Sequence, residues 1–177
     1  MPTINLTKGQ KIDLTKTNPG LTEVGVALGW DIHPNAGVPN FDLDVYGLAV
    51  DANKTLVDLC YFNQLTCLDG ALTHSGDNRD GAGDGDDETI TVNLSKVPAN
   101  VDKVVVSANI FDALSTQNFG QVRNAFLRVY NKTTGEELCR YDLSEDYSVF
   151  QGVNFGELYR NNGEWKFAAT TLGYNGT

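Results

Sequence analysis

Positive charge is scarce in this chain: 13 Lys and Arg stand against 23 Asp and Glu, leaving a formal net charge of −10. Binding nucleic-acid phosphates needs concentrated positive charge, so no nucleic-acid partner is expected. An anionic membrane would repel the chain as well, unless cations bridge the two. No apolar run approaches the roughly 20 residues that cross a bilayer. The opening Met1-Pro2-Thr3-Ile4-Asn5-Leu6-Thr7-Lys8 lacks the basic-then-apolar order of a signal peptide. Cysteine is sparse too. Three residues, Cys60, Cys67 and Cys139, cannot all pair, which points to reduced, buried thiols and a cytoplasmic location. Neither His33 nor His74 forms a zinc-ligand spacing with them. Cys-x-x-Cys and dinucleotide-binding fingerprints are both missing, so an oxyanion reductase is not expected.

What is present suits one globular domain spanning 1–177. At 177 residues with 41% apolar content, a hydrophobic core needs no disulfide to support it. Short alternating runs recur between Gly, Asn, Asp and Pro, the punctuation of an all-β protein. Val24, Val26, Leu28 and Trp30 alternate with Gly25, Ala27 and Gly29, giving a strand with one large-residue face. Phe41, Leu43 and Val45 alternate with Asp42, Asp44 and Tyr46; Ile90, Val92 and Leu94 alternate with Thr91 and Asn93. Lys103 to Phe111 reads as a central strand, and further strands are predicted at 125–130, 137–143, 155–160 and 164–169. Asn161-Asn162-Gly163 joins the last two as a hairpin turn. Ile4–Lys8 and Ile12–Lys16 echo each other around Gly9 like the arms of another hairpin. The spacing of Phe119, Val122, Phe126 and Val129 allows one short helix. The expected fold is a β-sandwich of two antiparallel sheets with long acidic loops and little helix.

The informative segment is Gly76-Asp77-Asn78-Arg79-Asp80-Gly81-Ala82-Gly83-Asp84-Gly85-Asp86-Asp87-Glu88, with six carboxylates, four glycines and one arginine. Unit charges about 4 Å apart repel by about 1 kcal/mol in water, and by more where solvent is excluded. A divalent cation reverses that sign. Calcium takes about six to eight oxygen ligands, and glycine backbones let carbonyls join carboxylates. A solvated acidic loop is the blander reading. Against it stand the alternation of Gly81, Gly83 and Gly85 with acids, and the strand that follows directly at Thr89. A second acid set, Asp42 and Asp44, would lie on one face of an extended strand about 7 Å apart. Known calcium loops do not fit. Asp77 to Glu88 has EF-hand length, but Arg79, Gly81 and Ala82 stand at its third, fifth and sixth positions. The glycine-rich run occurs once, so it is no stacking repeat.

These residues also carry a resemblance. Leu6-Thr7-Lys8-Gly9, Pro19-Gly20-Leu21, Gly29-Trp30-Asp31, Phe41-Asp42-Leu43-Asp44, Tyr61-Phe62-Asn63-Gln64 and His74-Ser75-Gly76-Asp77-Asn78 lead into Gly81 and Gly83-Asp84-Gly85-Asp86-Asp87-Glu88. Gly156-Glu157-Leu158-Tyr159-Arg160 and Gly163-Glu164-Trp165-Lys166-Phe167 close the pattern. From about Ile4 to Phe167 the chain resembles the TerD-like tellurium-resistance and stress-response proteins. The resemblance implies a calcium-binding β-sandwich that holds two ions and catalyses no reaction. It implies Asp31, Asp42, Asp44, Asp77, Asn78, Asp86, Asp87 and Glu88 as side-chain ligands, with carbonyls from Leu43, Gly81 and Gly83; Asp84 fits the motif without being counted among the ligands. Implied partners are other stress-response proteins, some of them membrane-associated. Asp80 and Ala82 replace the family's more usual Thr and Glu. After Phe167 the chain reads Ala168 to Thr177, where family members usually continue into a Gly/Ala-rich helical tail.

Two enzyme readings compete. His74-Ser75 beside Asp77 suggests a triad, but neighbours in a strand face opposite ways. A hydrolase, carbohydrate-active or otherwise, could use two of the clustered carboxylates, with Trp30, Tyr46 and Trp165 as a sugar platform. No pair is singled out, and the clustering suits a metal better. The expected function is a calcium-dependent interaction module.

Overall fold

The computed structural model describes residues 3–31, 43–76, 86–110, 123–142 and 152–174, backbone only at 123, 124 and 171–174. In chain order the strands are β1 (Ile4–Asn5), β2 (Lys11–Asp13), β3 (Glu23–Asp31), β4 (Leu43–Val50), β5 (Leu56–Cys60), β6 (Thr66–Cys67) and β7 (Leu72–His74). They continue as β8 (Glu88–Asn93), β9 (Lys103–Ile110), β10 (Arg123–Asn131), β11 (Glu137–Asp142), β12 (Gly152–Asn161) and β13 (Glu164–Tyr174). Two sheets form, β1-β11-β10-β3-β8-β7-β6 and β2-β13-β12-β9-β4-β5. Among the described residues every strand pairing is antiparallel except β1 with β11. The predicted all-β sandwich is what the chain folds into.

Period-two patterning explains the layers. Val24, Val26, Leu28 and Trp30 of β3 and Val104, Val106, Ala108 and Ile110 of β9 are all buried in one core cluster between the sheets. Phe155 and Phe167 are wholly buried, and each such side chain contributes about 1.5–3 kcal/mol by leaving water. The small face of β3 is covered in its turn. Tyr130, Arg128 and Phe126 of β10 stand opposite Gly25, Ala27 and Gly29, so large side chains fill the space that small ones leave.

Two expectations are corrected. The segments around Gly9 are not arms of one hairpin: β1 pairs with β11 in the first sheet and β2 with β13 in the second. Phe126 and Val129 lie in strand β10, where Ala125, Leu127 and Val129 point inward, so their helical spacing is incidental. Phe119 and Val122 lie outside the described residues. The closing hairpin forms as predicted around Asn162 and Gly163, both at positive φ. Strands β5, β6 and β7 had not been anticipated.

Candidate functional site

Residues 86–88 run beside the end of β3. The Asp87 backbone N–H donates to the Leu28 carbonyl at 2.9 Å, and an Asp87 carboxylate oxygen accepts the Trp30 N–H at 2.8 Å. Asp86 meets Arg128 as a bidentate pair, Nε to Oδ1 at 2.7 Å and a terminal nitrogen to Oδ2 at 2.5 Å. Arg128 stacks over the Tyr130 ring at 4.1 Å. The hydrogen bond and charge of Asp86 outweigh partial burial and push the guanidinium pKa further up. Planar fork-to-carboxylate geometry of this kind fixes both partners. The last turn of the acidic segment is therefore anchored to β10.

Glu88 opens β8 and points into the sandwich, where it is wholly buried. Its Oε2 accepts the Val45 backbone N–H at 2.9 Å. Strand β5 reaches along β4 only as far as Cys60 opposite Gly47, which leaves the Val45 amide to be satisfied by a side chain. Glu88, from one sheet, does so for the other. His74 Nε2 lies 3.2 Å from the same oxygen, off the ring N–H axis, making a close electrostatic contact rather than an aligned hydrogen bond. Nδ1 of that ring accepts the Gly76 N–H at 2.9 Å. Burial pulls the imidazole pKa down, but the contact and charge of Glu88, helped by Cys60, more than offset it, so the net direction is up. Ser75 turns the other way: its Oγ accepts the Thr89 N–H at 2.9 Å. His74 and Ser75 thus serve separate partners.

Asp44 occupies the opposite face of β4 from Leu43 and Val45, as the alternation predicts, yet it is only 2% exposed. Its direct cross-strand partner is Asn109 on β9. The side-chain oxygen of Asn109 is buried and, among the described residues, accepts no hydrogen bond. A carbonyl oxygen without a donor, beside a buried carboxylate, leaves two hard oxygens where a cation would be welcome. This corner fits calcium chemistry. Asn109 escaped the sequence reading, although Ser107 and Asn109 are the polar breaks on one face of an apolar run.

The described residues do not assemble the whole expected ligand set. Asp31 ends β3 exposed, with the parity of Gly29, on the outer side of the first sheet. Asp44 belongs to the outer side of the second. Leu43 is fully buried by its side chain. Asp42, Asp77, Asn78, Gly81, Gly83 and Asp84 lie outside the described residues. Among the described residues, no three His, Cys, Asp or Glu side chains group closely enough to hold an ion. A groove of about 530 Å³ opens on the same outer face, toward the other end of β4, lined by Lys11, Lys54, Lys103 and Glu157 over Val50 and Val105. Trp30 and Trp165 are buried in the core rather than offered as a platform.

The TerD domain matches residues 2–177. The chain belongs to the TerD family. This TerD-family chain is 54% identical, over 98% of its length and 92% of the relative's, to general stress protein 16U of Bacillus subtilis (strain 168). It is 45% identical to the tellurium resistance protein TerD of Alcaligenes sp, over 98% of its own length and 92% of that protein's. Its fold superposes on the crystal structure of a homologue of telluride resistance protein (TerD) from Streptomyces coelicolor A3(2) with a TM-score of 0.75. That pair shares 25% identity and covers 89% of this chain and 92% of the other. Family membership places the chain among tellurium-resistance and stress-response proteins. Among the described residues no helix is long and apolar enough to cross a membrane.

Proposed function

We propose that this chain is a non-enzymatic, cytoplasmic calcium-binding protein of the stress response, taking two ions and presenting a calcium-ordered surface to a partner. The observation that carries the reading is the buried pair of Asp44 and the unsatisfied Asn109 oxygen, in a chain with ten surplus negative charges. Asp44 and Asn109 would hold one ion, with Asp42, Asp77, Asn78 and the Gly81 and Gly83 carbonyls as further oxygen donors. Asp31, Asp87 and Glu88 have the right chemistry to complete the set implied by the resemblance. Asp86 stays with Arg128 and fixes where the acidic segment ends. Bound calcium would supply positive charge that cancels carboxylate repulsion among these acids. A partner that favours the ordered surface, whether a stress-response protein or an anionic membrane, must then raise calcium affinity by the same factor that calcium raises its own.

Calorimetric titration of chelator-stripped protein, with magnesium as control, tests the reading. Two equivalents of calcium binding at micromolar concentration or tighter are expected. At about 100 times Kd, each bound ion adds about 2.7 kcal/mol, or roughly 5–10 °C in Tm. Asn109→Ala should weaken calcium binding about tenfold or more while leaving calcium-free stability unchanged or higher, because it removes a buried oxygen that bonds to nothing. Absence of binding below millimolar calcium would overturn the proposal. Normal affinity in Asn109→Ala and Asp44→Asn would overturn the site.

A further inference from the structure

Cys60 and Cys67 were expected only to be reduced and buried. They are free and buried, but their placement adds something. Cys60 ends β5, the outermost strand of the second sheet, and Cys67 ends β6, the outermost strand of the first. The short connection between them turns tightly through the Tyr61–Gln64 bridge, with Leu65 45% exposed above the thiols. Cys60 Sγ donates to the Leu65 carbonyl at 3.4 Å, and the strands β5 and β6 that carry the two thiols lie against each other. The neighbouring Cys67 side chain pulls Cys60 below the usual thiol value against the opposing effect of burial, and Cys60 together with burial holds Cys67 above it. Cys139, by contrast, is pushed up to about 12 chiefly by burial. Edge strands are where local opening is cheapest, so a small oxidant reaches this pair by fraying of the edge.

We propose that Cys60 and Cys67 form an oxidant-responsive dithiol, which hydrogen peroxide converts into a disulfide joining the free edges of the two sheets. The Cys60 thiolate attacks one peroxide oxygen, the O–O bond breaks, and hydroxide leaves and is protonated to water. Cys67 then attacks the resulting sulfenic acid: the S–S bond forms, the S–O bond breaks, and a second water leaves with the Cys67 proton. Two electrons pass from the sulfurs to the peroxide. The product adds a second covalent link between the two sheet edges beside the short connection of residues 61–66 that already joins them, and a low-molecular-weight thiol reverses it.

The test treats the full-length protein with hydrogen peroxide, alkylates the remaining thiols after unfolding, and maps the digest without reduction. Expected are loss of two of three thiols, a Cys60–Cys67 linkage short of the mass of two hydrogens, and alkylated Cys139. Melting temperature should rise by a few degrees and return on reduction. Cys60→Ala and Cys67→Ala should each lose the linkage and the rise; if either fails to fold, the wild-type map decides alone. Oxidation of Cys60 to sulfinic acid without a linkage would overturn the proposal. So would linkage through Cys139, linkage between chains, or three thiols surviving peroxide that oxidises a free cysteine.

Discussion

Replacing Glu88 with alanine is expected to cost about 3–5 kcal/mol of stability, read as a lower urea midpoint at unchanged slope. The side chain is fully buried, and its loss leaves the Val45 N–H without an acceptor and the buried His74 without its negative partner. Glu88→Gln keeps an oxygen for Val45 and should lose less. The same pair of variants separates a tie between sheets from a calcium ligand. A tie costs the same with and without calcium, whereas a ligand costs more when calcium is present. A stability within about 0.5 kcal/mol of wild type for Glu88→Ala would mean that the carboxylate does not hold the two sheets.

Gly25→Val should cost about 1–3 kcal/mol and reach well beyond its own position. A Cβ at Gly25 would lie 2.3 Å from Tyr130 Cζ, so the ring must leave its place. Arg128 rests on that ring at 4.1 Å and clamps Asp86 at the edge of the acidic segment. Displacing the ring therefore loosens the Asp86 anchor, and a weaker calcium affinity should accompany the lost stability. Tyr130→Ala in the same chain removes the clash, so the double variant should be less unstable than the two single losses predict. Additive losses would show that Gly25 and Tyr130 act independently.

The sandwich was legible because its long strands alternate cleanly: the core faces of β3, β4, β8 and β9 are spelled out in Val, Ile and Leu. The N-terminal strands were misread because local likeness between Ile4–Lys8 and Ile12–Lys16 says nothing about which distant strand each one meets. Strands β6 and β7 have two and three residues, too few to express a period. The acids themselves announced a site, but not their assignments. Asp86 and Glu88 look alike in the sequence, yet one faces Arg128 and the other an open backbone amide, and both partners lie far away in the chain. Arg128 gave no local signal. Asn109 did give one, as a polar residue in an apolar run, and its meaning became visible only opposite Asp44.

The division of β1 and β2 between the two sheets has a kinetic consequence. The first strands to be synthesised pair with β11 and β13, among the last, and Leu14 N–H reaches the Trp165 carbonyl at 3.0 Å. Trp165 N–H in turn donates to Thr15 Oγ1 at 2.8 Å. Long-range closures carry their entropic cost before they return any contact energy, so this topology folds slowly, and β2 waits unpaired until the C-terminal hairpin exists. A nascent chain stalled before β13 would expose the edge of β12 that β13 covers and leave β2 without its partner, and the finished molecule should open in the reverse order, from this clasp inward.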